Sequence, residues 1–304
     1  MSIHGDRQAT TPVTPSLLRT WQLPGPGSGK YERGAVLVIG GARKTPGAVR
    51  LAGTAALRAG AGRLTLAVAE SAAVPLAVAF PEAGVIGLPE TAAGSVRSTG
   101  IEALETELDA ADAILIGPGL DDPDETTGLL RDLLHRMSPA EGPAIVIDAY
   151  ALGILPRLDQ GVRRRARHLI LTPNPTESGI LLGRDLTDPR ADTADIAETY
   201  RAVVSCQGII AQPAEPDPVE TATSRCWEIT TGSGGLGTSG SGDVLAGAIA
   251  GIRARGATDA QSACWATHLH AAAGDRLASR RGSPGYLARE LADELPALMM
   301  ELST

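Results

Sequence analysis

Apolar positions in this chain gather in short runs with few polar interruptions. The runs are Ala35-Val-Leu-Val-Ile39, Arg63-Leu-Thr-Leu-Ala-Val68, Ala113-Ile-Leu-Ile116, Ala144-Ile-Val-Ile147 and His168-Leu-Ile-Leu171. A strand apolar at successive positions has no face to give to water, so each run predicts a strand buried on both sides. Helical segments are expected between and after them: 46–60, opened by Pro46 and closed by Gly60, then about 124–137, a short one from Ala149, and 176–182. Ala202-Val-Val-Ser205 reads as a weaker strand with Gly208-Ile-Ile-Ala211 pairing nearby, and long helices follow at about 243–255, 259–279 and 286–301. Strands alternating with helices predict an α/β fold, a mostly parallel sheet covered on both faces. No composition break divides 34–304, which reads as one domain. Residues 1–33 are rich in Thr, Pro, Gly and Ser and predict a flexible N-terminal arm, ordered only if it docks.

In such sheets ligands bind beyond the carboxyl ends of the strands. Five segments of unusual chemistry fall there: Gly40-Gly41, Gly117-Pro118-Gly119, Asp148, Thr172-Pro-Asn-Pro-Thr-Glu177, and Gly232-Ser-Gly-Gly-Leu-Gly-Thr-Ser-Gly-Ser-Gly-Asp243. The last runs directly into the small, apolar segment Val244-Leu-Ala-Gly-Ala-Ile-Ala-Gly251. Glycine lets a ligand approach peptide amides, and a helix start offers unpaired N–H groups suited to phosphate. A carboxylate placed there is costly unless it works, and the work expected of Asp243 is taking a proton from a hydroxyl during phosphoryl transfer. The same residues also allow quieter roles. Asp243 could be a helix N-cap, Gly117-Pro118-Gly119 a plain turn, and Asp148 a cap for the following helix. Asn174 and Glu177, three apart, could form a capping box, or else contact substrate and hold Mg²⁺ through water.

Composition narrows the class. With a net charge of −8 and a pI near 5.2, the chain predicts no nucleic-acid surface and fits small-molecule chemistry. Lys30 and Lys44 are its two lysines, so later phosphate contacts must use arginine, amides or a metal. Cys206, Cys226 and Cys264 have no CxxC spacing and read as free thiols of a cytoplasmic protein. His268 and His270 sit two apart, on different sides of a helix. The longest apolar run is broken by Glu70, Ser71 and Pro75, which predicts no membrane span. No GxxxxGK[ST] loop, dinucleotide fingerprint or GxSxG elbow is present.

The ordered set of motifs resembles the ADP/ATP-dependent NAD(P)H-hydrate dehydratases of the ribokinase-like superfamily. The resemblance rests on Val36-Leu-Val-Ile-Gly-Gly41, Pro46-Gly-Ala48, Ala55–Gly62, Ile116-Gly-Pro-Gly119, Ile147-Asp-Ala149, Leu171-Thr-Pro173 with Pro175 and Glu177, Gly240-Ser-Gly-Asp-Val-Leu-Ala-Gly247, and His270 with Gly274-Asp275. It covers about residues 34–298. It implies a ribokinase-like three-layer sandwich and dehydration of the S-epimer of NADH or NADPH hydrate, coupled to ADP or ATP with Mg²⁺. In that chemistry, phosphorylation of the ring hydroxyl makes it a good leaving group. The resemblance makes Asp243 the base. It places Ala48, Gly119, Asn174 and Asp243 at the substrate, Gln207, Gly208, Ser239, Gly240, Ser241 and Gly242 at the nucleotide, and Glu177 near the metal. It also implies a homo-oligomer, with a tetramer among the options, for which the apolar 244–251 segment offers a packing face.

The chain departs from the family's pattern at several positions. Asn174 stands for a usual His, Thr176 for Gly, Tyr150 for Asp and Gln207 for the lysine of a strand end. Asn174-Pro-Thr-Glu177 also fits the Asn-x-x-Glu pattern of the superfamily's small-molecule kinases. A kinase of a vitamin-like alcohol and a degenerate nucleotide-binding paralogue are therefore the alternatives.

Overall fold

The five apolar runs become five adjacent strands at the centre of one sheet. The computed structural model describes residues 10–25, 27–138, 142–214, 225–232 and 235–303. Its strands are β1 (Thr11–Val13), β2 (Ala35–Ile39), β3 (Arg63–Ala69), β4 (Gly84–Leu88), β5 (Ala113–Ile116), β6 (Ala144–Ile147), β7 (Leu169–Leu171), β8 (Val203–Cys206), β9 (Ile209–Ala211) and β10 (Cys226–Ile229). Their order across the sheet is β1-β10-β9-β8-β7-β6-β5-β2-β3-β4. Only β9 runs against its neighbours; the other pairings are parallel.

The helices are α1 (Pro15–Thr20), α2 (Pro46–Arg58), α3 (Glu70–Ala79), α4 (Glu105–Ala110), α5 (Pro123–Arg136), α6 (Tyr150–Ile154), α7 (Gln160–Arg163), α8 (Pro175–Leu182), α9 (Pro189–Tyr200), α10 (Ser241–Ala254), α11 (Asp259–Arg281) and α12 (Ala288–Ser303). Successive side chains of a strand point to opposite faces. Val36 and Val38 of β2 therefore join one core with α2, α10, α11 and α12, while Leu37 and Ile39 join a second core with α5, α6, α8 and α9. The sheet is thus the middle of three layers, as expected.

One helix contact is unusually close. A Cβ at Gly247 would lie 2.0 Å from the Ala52 carbonyl oxygen, and one at Gly251 would lie 2.3 Å from that of Ala56. The two glycines are one turn apart on α10, and the two alanines are one turn apart on α2, so the helix backbones touch along that seam. The small apolar segment 244–251, expected as a face for a partner, is buried inside its own chain. Among the described residues no helix is long and apolar enough to cross a membrane.

The expected N-terminal arm is docked from Thr10 onward; residues 1–9 lie outside the described residues. β1 adds a parallel edge strand to β10, and Val13 and Leu18 are fully buried. Trp21 stacks on Trp227 at 5.9 Å, and its carbonyl accepts from Trp265 Nε1 at 2.8 Å. The polar composition of the arm hides these few apolar anchors. Several elements were not legible for similar reasons. α3 is apolar nearly all round and carries Pro75, β4 contains two glycines, and β10 has only four residues.

Gly247→Ala is expected to destabilise the fold by about 2–3 kcal/mol through overpacking against backbone. Gly153→Ala in α6, whose Cβ would meet nothing within 4 Å, is expected to be neutral or stabilising by up to about 1 kcal/mol. Urea unfolding of the two variants beside wild type checks both.

Candidate active site

The carboxyl ends of the parallel strands form one rim, and the loops there are bonded to one another. After β2, the amides of Gly41 and Ala42 donate to the carbonyls of Pro118 and Gly119, each at 2.8 Å. Thr45 Oγ1 donates to the Gly119 carbonyl at 2.8 Å as well. A Cβ at Gly119 would come 3.2 Å from the Ala48 Cβ, so these two expected substrate contacts are neighbours. Gly117 has φ 128° and leaves room for the next loop: a Cβ there would sit 1.9 Å from the Asp148 carbonyl oxygen.

That next loop is strained. Ala149 has φ 50° and ψ −123°, which L residues rarely adopt, at a cost of about 1–3 kcal/mol. It follows Asp148, whose carboxylate is 4 % exposed and accepts from Thr172 Oγ1 at 2.7 Å. Burial pushes Asp148 up to about 6, against the hydrogen bonds from Thr172 and the Ala149 backbone. Asp148 is therefore built into the rim as a buried acid; it does not cap the α6 helix with its side chain.

Asn174 and Glu177 form a complete capping box at the start of α8. Asn174 Oδ1 accepts from the Glu177 amide at 3.0 Å, and Glu177 Oε2 accepts from the Asn174 amide at 2.8 Å. Asparagine does here what Ser or Thr usually does. The box leaves the Asn174 amide nitrogen and Glu177 Oε1 directed by the cap but not consumed by it. Glu177 rises to about 7, first through burial and further through the charge of Asp148, with the Asn174 N–H opposing.

The glycine loop ends differently from the simplest expectation for it. Gly240, at φ 86°, is the N-cap of α10 and makes no side-chain cap bond. Asp243 stands three residues inside the helix and caps nothing. Among the described residues its carboxylate has no hydrogen-bond partner, and burial followed by the charge of Asp148 raises it to about 7. The Ser241 amide is engaged by the Thr238 carbonyl at 3.1 Å and that of Val244 by Gly240 at 3.2 Å. Between them, the amides of Gly242 and Asp243 have no backbone acceptor among the described residues. Of the expected Ser239–Gly242 amides, that of Ser241 is the one with a backbone acceptor among the described residues, and the Asp243 amide joins the remaining ones as a free donor.

Two side chains of α11 hold the loop. Asp275 Oδ2 accepts from Thr231 Oγ1 at 3.0 Å and from the Gly232 amide at 2.8 Å. His270 Nε2 lies 3.0 Å from the Ser241 carbonyl and 2.9 Å from Ser241 Oγ. A carbonyl only accepts, so Nε2 carries the proton, and burial keeps the ring neutral by lowering it to about 4. His270 and Asp275 were visible as motif residues, but their contacts 29 and 43 residues away were not.

Gln207 (φ 49°) and Gly208 (φ 81°) form the two-residue turn between β8 and β9, with both residues left-handed as a type I′ turn requires. The Gly208 carbonyl accepts from the Ile229 amide at 2.8 Å, so this turn lies beside the end of β10 that leads into the glycine loop. The rim therefore brings Ala48 beside Gly119, and Glu177 and Asp243 around Asp148; Gln207 and Gly208 sit on the side where the loop begins. Among the described residues no group of three metal-ligating side chains is preassembled. The oxygen-only donors of the rim, where the charge of Asp148 acts on Glu177 and on Asp243, are nonetheless of the kind Mg²⁺ takes, since it binds through one or two carboxylates, waters and substrate phosphates.

A sheet of this order with a glycine loop at its rim defines a ribokinase-like protein. A ribokinase-like superfamily protein from Enterococcus faecalis superposes with a TM-score of 0.77, at 22% identity over 99% of both chains. The family model described as NAD(P)H-hydrate dehydratase matches residues 36–297, and the chain belongs to that family. It is 42% identical over 294 residues to an ADP-dependent (S)-NAD(P)H-hydrate dehydratase from Xanthomonas campestris, covering 95% of this chain and 96% of that one. A Bacillus subtilis ADP/ATP-dependent NAD(P)H-hydrate dehydratase, co-crystallised with ATP and Mg²⁺, has a TM-score of 0.74 and 26% identity, covering 96% of this chain and 99% of the other. Of the bifunctional NAD(P)H-hydrate repair enzymes it also matches, the chain spans about half the length.

Asp148→Asn is expected to lower the midpoints of both Asp243 and Glu177, because it removes a like charge that favours their protonated forms. Burial, the larger cause, persists, so both stay above the ordinary carboxylate range. Carboxyl-carbon NMR titration of the two side chains measures the change. Unmoved midpoints would show that Asp148 does not act on them.

Proposed function

We propose that the chain dehydrates the S-epimer of NADH or NADPH hydrate in an ADP-dependent reaction, with ATP as the alternative phosphoryl donor. One observation carries the assignment of roles: Asp243 is an unpartnered carboxylate near neutral pKa, next to the free amides of Gly242 and its own. A general base works best when its pKa lies near the working pH. Asp243 takes the proton from the ring hydroxyl as that oxygen attacks the terminal phosphoryl group. The new O–P bond forms as the bond to the nucleotide breaks, giving AMP from ADP. The two amides hold the charge on the transferring phosphoryl oxygens. Phosphate then leaves with the carbon–oxygen bond, a ring proton is lost, and the double bond of the reduced nicotinamide returns.

In this reading Ala48 and Gly119 floor the nicotinamide site, and the free amide nitrogen of Asn174 contacts the substrate. Gln207, Gly208 and the Ser239–Gly242 backbone line the nucleotide. Gln207 brings no charge where the family has a lysine, so amides carry more of the phosphate contact. Mg²⁺ neutralises nucleotide phosphates when bound, and Glu177 would hold it through water. Three buried cysteines, none of them joined in a disulfide among the described residues, support a reducing cytoplasm as the compartment. The exposed Val74 and Val78, one turn apart on α3, support assembly into a homo-oligomer.

Incubation with hydrated NADH, Mg²⁺ and either nucleotide is expected to restore absorbance at the reduced-nicotinamide band. No recovery with either nucleotide would sink the dehydratase reading. Phosphate transfer to an alcohol without recovery would point to the kinase, and nucleotide binding without turnover to the paralogue. Asp243→Asn is expected to retain ADP binding and lose about 10²–10⁴-fold in kcat. The deprotonated form of Asp243 is the active one, so wild-type kcat/KM should rise with pH through about 7. A pH–rate profile tests this, and a flat profile between pH 6 and 8 would exclude Asp243 as the base.

A further inference from the structure

The loops that leave the carboxyl ends of the parallel strands are acidic. Asp121 and Asp122 follow Gly119 closely, Asp148 ends β6, and Glu177 and Asp243 stand in the first turns of α8 and α10. A dinucleotide brings a negatively charged pyrophosphate to this rim, and like charges repel it unless a cation is at hand. Among the described residues, the cations of these loops are Arg43, Lys44 and Arg97. Arg43 is tied to Glu90 as an ion pair and donates to Ser71 Oγ at 3.2 Å. Arg97 pairs with Glu125 at 3.7 Å and donates to the Glu90 carbonyl at 3.1 Å. Lys44 is exposed, and no described residue forms an ion pair or a hydrogen bond with its ammonium.

The backbone that carries Lys44 is fixed against the expected substrate floor. Before it, the amides of Gly41 and Ala42 donate to the carbonyls of Pro118 and Gly119. After it, Thr45 Oγ1 donates to the Gly119 carbonyl at 2.8 Å, and a Cβ at Gly119 would lie 2.4 Å from the Thr45 carbonyl oxygen. Lys44 is thus pinned beside the Gly117–Gly119 turn, in the same loop that leads to Ala48, with its side chain left unengaged. The ground between them is open: Gly47 is exposed, and a Cβ there would meet nothing within 4 Å. A compact ammonium on a flexible stem meets phosphate as a point charge, and here the stem starts from a fixed backbone.

We propose that Lys44 binds the pyrophosphate bridge of the NADH or NADPH hydrate and holds the dinucleotide while its nicotinamide ring lies on Ala48 and Gly119. The phosphates of ADP are served separately, by the free amides of Gly242 and Asp243. Lys44 is then the residue by which the site distinguishes a dinucleotide from a small uncharged alcohol. The inference rests on the dehydratase reading above and adds a specificity-determining contact to it.

The test is Lys44→Met, which keeps an unbranched stem and removes the charge, with Lys44→Arg beside it. Binding is read from the nicotinamide fluorescence of NADH and NADPH, the reaction products, which carry the same pyrophosphate. Lys44→Met should bind both about tenfold more weakly, the loss of one charge-assisted contact, and Lys44→Arg should recover most of the affinity. Wild-type affinity should fall with added salt, and that of Lys44→Met should fall less. ADP affinity by calorimetry and Tm should match wild type in both variants. Unchanged affinity of Lys44→Met for NADH and NADPH would overturn the proposal, as would failure of wild type to bind either. A loss confined to NADPH would overturn it by moving the contact to the 2′-phosphate, and a loss for ADP would do so by moving it to the nucleotide. A lower Tm in Lys44→Met that Lys44→Arg does not restore would overturn it in favour of a structural role. Wild type that binds NADH yet turns over neither hydrate would sink the dehydratase reading instead, with the contact judged on binding alone.

Discussion

The seam between α2 and α10 sets the position of everything else at the rim. Gly247 and Gly251 let α10 lie against the carbonyls of Ala52 and Ala56 with no side chain between them. α2 begins at the substrate side with Ala48, and α10 begins at the glycine loop with Asp243. A seam this close fixes the distance between the two helix starts far more tightly than a layer of leucines would. Leu51 of α2 reinforces it, since its Cδ1 would come within 2.5 Å of a Cβ at Gly240. The base and the substrate floor are thus held by backbone packing well below the reacting groups.

Electrostatics follow from that placement. Asp148, Glu177 and Asp243 arrive from three different connections and share a partly dry space. Burial is the first cause of each raised pKa, and the charge of Asp148 is the second for Asp243. A carboxylate in such a place either neutralises itself or waits for a cation or a proton donor. Thr172 and the strained Ala149 keep Asp148 where it acts on both neighbours. On α11, Asp275 and His270 hold Gly232 and Ser241, near the two ends of the glycine loop.

Much of the central architecture was legible because fully buried strands leave a blunt mark. Five unbroken apolar runs became five adjacent strands within a residue or so of their expected limits. The short, half-exposed or polar-flanked elements were not legible. β1 and α1 hide in a segment whose composition reads as flexible, since two buried aliphatics and one stacked tryptophan cannot outweigh its prolines and glycines in any window. At the site, the rim residues were identified, yet their roles depended on contacts across the fold. The spacing of Asn174 and Glu177 allowed a capping box, and the structure contains it. Asp243 read first as a base with a cap as the alternative, and the turn at Gly240 moved it inside the helix, where it caps nothing.

The sequence by itself determined the layer order, the rim on which chemistry collects, and the carboxylate and amides that could perform it. Those follow from local patterns: apolar periodicity, glycine at turns, an acid at a helix start. Tertiary structure alone decided which amides stay free and which carboxylates feel one another. These depend on distances between residues far apart in the chain, down to the 1.9 Å that a side chain at Gly117 would leave to Asp148. No local pattern encodes a gap of that kind, because it is created only when two segments are pressed together.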